Sequence, residues 1–194
     1  AVLALAPEAA SPANAVAGRR GRGMIACNDQ RLPQGIAMET VAERPPDRRD
    51  RDAYAFWTRD TVRFSDVDRY RHVNNVAIAT YCETGRVEFA EALWPGSTAG
   101  EGAGWVIVTL AVTFLAQAHY PGDVAVGTRV ERVGRSSCTI AQGLFKDGVC
   151  FASSEAVIVW LDLADGGRAV PIPPDLAERL LSEVRRPTVS NRAT

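Results

Sequence analysis

Between Asn74-Asn75 and Pro95-Gly96 the chain carries its one long helical segment, and that segment is apolar on almost every side. Asparagine is a good N-cap and Pro-Gly a good stop, so the spacing predicts a helix over 76–94. At 100° per residue, Ile78, Cys82, Gly85, Phe89 and Leu93 fall on one apolar face, and Thr84, Glu88 and Glu91 on a narrow polar one. A second apolar stripe, Val76, Ala79, Val87, Ala90 and Trp94, is interrupted by Glu83 with Arg86 beside it. One sheet covers one stripe. The other asks for a further cover, and a homodimer or dimer of dimers is expected.

The rest of the pattern is strand. "TRDTVRF" alternates and predicts a first strand over 58–65. After the helix, "GWVIVTLAVTFLAQA" is apolar on both faces and is expected to be central in its sheet. "DVAVGTRVERV", "SSCTIAQGLF" and "VCFASSEAVIVWLDL" follow, separated by short glycine-bearing turns, so the last four strands are expected to form an antiparallel meander. "PPDLAERLLSEVRRP" has a proline start and helical spacing. The fold class is α+β: a curled antiparallel sheet wrapped around one long central helix. Residues 1–55, rich in Ala, Pro, Gly and Arg, are expected to be a disordered leader, 56–175 the domain, and 176–194 a short C-terminal helix and tail.

Composition narrows the function. Hydrophobic residues make up 46% of the 194 and the formal charge is −1, so no basic excess points to nucleic acid and no apolar run to a membrane span. Lys146 is the only lysine, a chain-wide preference for arginine. Cys27, Cys82, Cys138 and Cys150 show no CxxC spacing, which suits a reduced, cytosolic chain.

"VRFSDVDRYRHVNNVAIATYCETGR" places Asp66, Asp68, His72, Asn74 and Asn75 in the loop before the helix. A helix N-terminus offers unpaired N–H groups and partial positive charge, suited to a developing oxyanion. A carboxylate just upstream could attack a carbonyl held there, or activate water to do so. That combination fits acyl transfer or hydrolysis without a metal. Each residue also has a plain structural reading: Asx-turns for the aspartates, packing for His72, capping for Asn74 or Asn75, and an i, i+3 ion pair at a subunit contact for Glu83 and Arg86. His119 lies on another element, no metal-ligand spacing occurs, and no GxSxG elbow is present.

The string "RFSDVDRYRHVNN", followed by Tyr81, Glu83 and Arg86 and later by "YPGDV", "RVGRSS" and "VWLD", resembles the hotdog-fold acyl-CoA thioesterases of the 4-hydroxybenzoyl-CoA thioesterase type. The resemblance covers about residues 58–175. It implies a hotdog fold and hydrolysis of an acyl-CoA to free acid and coenzyme A, with no metal and no organic cofactor. It implies Asp68 as the catalytic carboxylate, the backbone N–H of Asn75 or Val76 as the donor to the thioester carbonyl, and His72 and Glu83 as supporting polar groups. The coenzyme A nucleotide needs basic partners, for which Arg132, Arg135 and Lys146 are the candidates. The chain departs from the family's pattern at Arg71, often glycine, and at Ile78, often tyrosine. It also has Tyr70 where plant-type acyl-ACP thioesterases carry asparagine. An acyl-CoA-binding sensor using the same pocket is the alternative.

Overall fold

The computed structural model describes residues 46–98, 102–164 and 166–185. Strand β1 (Phe56–Thr61) leads through a 3-10 turn (Phe64–Asp66) into helix α1 (Asn75–Leu93). Strands β2 (Ala103–Phe114), β3 (Asp123–Val133), β4 (Ser137–Lys146), β5 (Val149–Asp162) and the short β6 (Arg168–Ala169) follow, and helix α2 (Pro174–Val184) comes last. The strand order is β1-β3-β4-β5-β2, with β6 on β5. All pairings are antiparallel.

The helix begins and ends where its caps predict. Asn74 is the N-cap and its side chain accepts the Val76 amide at 3.0 Å. The β4–β5 turn is also as expected, with Asp147 and Gly148 both at positive φ, as a two-residue hairpin requires.

Three strand expectations are corrected. The first strand stops at Thr61, because the Asp66 carboxylate takes the Arg63 amide at 2.8 Å and winds the next residues into a turn. Among the described residues strand β2 is an edge strand, paired with β5 alone, so the meander comprises β3, β4 and β5 while β2 crosses to the far side. Its double apolarity does not come from burial: Val106, Ile107, Val108 and Phe114 are all exposed. A register shift between Ile107 and Thr109 bends this edge.

Helix α1 lies on the inner face of the sheet. Ile78, Tyr81 and Cys82 join Val124, Val126, Leu144 and Phe151 in one core cluster. Phe89 joins Val130, Ile140, Ile158 and Trp160 in another, which α2 closes with Leu176 and Leu180. Between them runs a polar rung. Thr128, Gln142 and Ser154 are neighbours in register on β3, β4 and β5. The Gln142 amide nitrogen donates to the Cys82 carbonyl (3.0 Å) and to Thr128 Oγ1 (3.1 Å), and its Oε1 accepts from Arg86 and Ser154, each at 3.2 Å. Every hydrogen-bonding site of this fully buried amide is used.

On the outer face, the expected leader is described only from Pro46, and its last ten residues are not loose coil. Tyr54 packs on Gly127, Gly143, Trp57 and Phe145. Arg48 binds Glu131 at 2.7 Å and also Glu155, while Arg129 holds the Pro46 carbonyl at 2.6 Å. Burial works to raise the Glu131 pKa, but the guanidiniums of Arg48 and Arg129 outweigh it and hold the carboxyl below its usual range. Residues 1–45 lie outside the described residues.

The rung explains Gly85. A Cβ there would sit 2.7 Å from both Gln142 Nε2 and Val126 Cγ1. Gly85→Ala is expected to destabilise the fold, because overpacking costs about 1–3 kcal/mol and exceeds the roughly 0.8–1 kcal/mol of helix propensity gained. Chemical denaturation reads this directly, and an unchanged or higher midpoint would contradict the close approach.

Candidate active site

The loop from Val67 to Val73 closes on itself. Val67 and Val73 form an antiparallel bridge, the Asp68 amide donates to the His72 carbonyl at 2.8 Å, and the Arg71 amide donates to the Asp68 carbonyl at 2.9 Å. Arg69, Tyr70 and Arg71 form a three-residue tip, and Arg71 ends it at φ 67°. A left-handed last residue is what such a tip needs, and a side chain there costs about 1–2 kcal/mol.

The two aspartates do different things. Asp66 Oδ2 accepts the Tyr81 hydroxyl at 2.6 Å and the Arg63 amide at 2.8 Å, with the Arg63 guanidinium 3.7 Å away. Its backbone carbonyl takes the Asn74 amide at 2.7 Å. Burial pulls the Asp66 pKa upward, but the Tyr81 hydroxyl and Arg63 outweigh it and lower it. Burial, then Asp66, raise that of Tyr81. Asp66 is thus the anchor of the loop on α1. Asp68 uses only one oxygen: Oδ1 accepts the amides of Tyr70 (2.8 Å) and His72 (3.1 Å). Oδ2 has no hydrogen-bond partner among the described residues.

The helix start separates its two donor candidates in the same way. The Val76 N–H is given to Asn74 Oδ1. The Asn75 N–H has no partner among the described residues, and it opens the positive end of α1. His72 is half-buried, and its ring lies against that of His119 with centroids 5.1 Å apart at 68°. His119, set aside on sequence because it sits on another element, is brought in by the β2–β3 connector. Chain distance hides it, and "AHYPGD" carries no spacing signal that would find it.

Glu83 is exposed and lies about 12 Å along the helix axis from Asn75. It lines a groove of ≈ 340 Å³ between α1 and β2 with Val76, Ala79, Arg86, Ile107 and Leu110. No carboxylate pairs with Arg86 among the described residues; burial lowers its pKa, and Gln142 is its hydrogen-bond partner. A larger hollow of ≈ 470 Å³ lies on the outer face, beside Arg48 and Glu131. Its half-buried carboxylate, Glu131, is held by two arginines.

The three basic candidates do not come together. Arg132 and Arg135 flank the β3–β4 turn, whereas Lys146 ends β4, about 30 Å away along ten residues of strand. Lys146 is on the loop's side, close to Gly122, whose carbonyl takes the Val62 amide at 2.9 Å.

Residues 62–180 match the model of the Thioesterase-like superfamily. The chain belongs to that superfamily. Its described part has the hotdog fold, a curled antiparallel sheet around α1. A predicted thioesterase from Bacillus stearothermophilus is 33% identical, with a TM-score of 0.62, over 68% of this chain and 98% of that one. A thioesterase from Thermus thermophilus, solved with coenzyme A and Zn, is 30% identical, with a TM-score of 0.61, over 69% of this chain and 97% of that one. A gentisyl-coenzyme A thioesterase shares the fold at 20% identity and a TM-score of 0.59, over 64% of this chain and 99% of that one. No curated protein matches. Among the described residues no helix is long and apolar enough to cross a membrane, and no three His, Cys, Asp or Glu side chains gather as a metal site.

The role of Asp66 is open to a pH test. A carboxyl with a lowered folded-state pKa contributes stability that is present above its unfolded value, near 4, and lost as pH falls through the folded value. Asp66→Asn is expected to be less stable than the wild type at pH 7, with the gap narrowing at about pH 3. An equal gap in urea titrations at both pH values would remove ionised Asp66 as the anchor.

Proposed function

We propose that the chain is an acyl-CoA thioesterase, hydrolysing a thioester to a free acid and coenzyme A. The observation that carries this reading is that, among the described residues, neither Oδ2 of Asp68 nor the Asn75 N–H at the start of α1, a few residues on, has a hydrogen-bond partner. The Asn75 amide receives the carbonyl oxygen as charge builds on it. Asp68 Oδ2 either takes a proton from the attacking water or attacks the carbonyl carbon, forming an anhydride that water then opens. On both routes the C–S bond breaks, the thiolate leaves and takes up a proton, and one water is consumed. No metal and no organic cofactor enter the reading. His72 flanks Asp68, and the α1–β2 groove with Glu83 takes the acyl group. Lys146, on the loop's side, is the retained partner for the coenzyme A phosphates. Superfamily membership and the coenzyme A-bound relative support this substrate class.

Asp68→Asn keeps size and most hydrogen bonds but removes the charge, so turnover should fall by about 10²–10⁴ with the fold intact. Thiol release at saturating acyl-CoA, with thermal melts, measures it. Near-wild-type turnover in Asp68→Asn would move the reaction to another carboxylate, and the absence of thiol release from the wild type across a broad acyl-CoA panel would sink the activity itself.

The same reading needs a second copy of the chain. Val76 is 67% exposed and Val87 46% on α1, and Val108 is 55% exposed on the neighbouring edge strand, so the groove is open on one side. A homodimer that covers this face would complete it. Val87→Asp is expected to yield monomer and to lose activity, read by light scattering and thiol release. A wild type that stays monomeric at micromolar concentration would end the dimer reading.

A further inference from the structure

We propose that His119 is a positioning residue for the Asp68 loop: from the β2–β3 connector its imidazole ties down the Arg71 backbone and flanks His72, keeping the loop in the shape that holds Asp68. The proposal rests on the reading of Asp68 as the reacting carboxylate. The connector meets the loop repeatedly. Ala118 accepts the Val73 amide at 2.8 Å, His72 and His119 form an antiparallel bridge, and the Tyr120 ring sits on Phe64 at 5.9 Å. At the centre, His119 Nδ1 lies 3.1 Å from the Arg71 carbonyl oxygen. A carbonyl oxygen can only accept, so Nδ1 carries the proton there and donates it.

That bond falls on the one residue of the loop whose backbone is strained. Arg71 sits at φ 67°, where an arginine does not stay without help. Its neighbours Tyr70 and His72 supply the two amides that grip Asp68 Oδ1. If Arg71 relaxed out of the left-handed region, both amides would turn and the carboxylate would lose its aim. His119 is exposed, so core packing gives no reason for an imidazole at this position. The hydrogen bond to Arg71 and the ring contact with His72 do.

The test compares the wild type, His119→Phe, Arg71→Gly and the double variant. Thiol release from an acyl-CoA and hydrogen exchange of the Tyr70 and His72 amides are the readouts, with thermal melts as a check on folding. Phenylalanine keeps a ring against His72 and removes the donor; His119→Ala replaces it if phenylalanine prevents folding. The expected result is a kcat about 10- to 100-fold lower with KM within about threefold, and faster exchange of both amides. Glycine holds a left-handed conformation unaided, so in the Arg71→Gly background the His119 substitution should cost less than about threefold. An unchanged kcat in His119→Phe, or an equal loss in both backgrounds, overturns the proposal. If the wild type turns over no acyl-CoA, the functional reading fails separately and amide exchange decides: unchanged protection overturns the positioning role, and faster exchange corrected by glycine supports it.

Discussion

The buried Gln142 amide governs where the helix can lie. Its Nε2 donates to the Cys82 carbonyl in the middle of α1 and to the Thr128 hydroxyl on β3, and its Oε1 accepts from the Ser154 hydroxyl on β5 and the Arg86 guanidinium on α1. Such a group has one fully satisfied arrangement, and any rotation or slide of α1 would strand a buried donor or acceptor at about 1–3 kcal/mol each. Apolar packing alone would let the helix turn between its two stripes. The rung selects the stripe of Ile78, Cys82, Gly85 and Phe89 for the sheet, and so leaves Val76, Ala79, Glu83 and Val87 facing outward. The position of the helix N-terminus, and of the Asn75 amide, follows from that choice.

The outward stripe and the edge strand β2 belong together. An exposed, apolar edge is a liability unless something covers it, and β2 also carries a bulge beside the groove. The face that the sheet cannot cover is thus the face on which Glu83 and Arg86 sit. A charge among apolar neighbours would be costly to bury without a partner. Arg86 already has Gln142 behind it, which lets its guanidinium sit half-buried at the groove without a carboxylate of its own.

Much of this is legible in the sequence because the signals are local. Asn74 as a cap, the Asp147-Gly148 turn and the buried stripe of α1 each depend on residues a few positions apart. Strand β2 misleads because an apolar run has the same appearance whether it is central or lies at an edge that awaits a cover. The end of β1 misleads because the Asp66 side chain captures a backbone amide, a competition invisible to alternation. Composition assigns Arg48 to a leader, yet its partners Glu131 and Glu155 are far along the chain. His119 reaches the loop only through the fold. Within the site, resemblance and not spacing distinguishes Asp68 from Asp66.

Hydrogen-bond capacity gives that distinction a physical basis. An ionised carboxylate has two oxygens and about four acceptor sites. Asp66 commits Oδ2 to a phenol, an amide and a nearby guanidinium, which stabilise its charge but leave it little basicity to offer. Asp68 places two amides on Oδ1 alone, which fixes the plane of the carboxylate while Oδ2 stays open. Two amides on one oxygen orient the carboxylate, and the proposed role of Asp68 as base or nucleophile uses the other. The same asymmetry appears at the helix start, where Asn74 satisfies Val76 and leaves Asn75. Two residues of nearly identical sequence context thus differ because Asp66 is bound by the Tyr81 hydroxyl, the Arg63 amide and the Arg63 guanidinium, and Asp68 by two amides of its own loop.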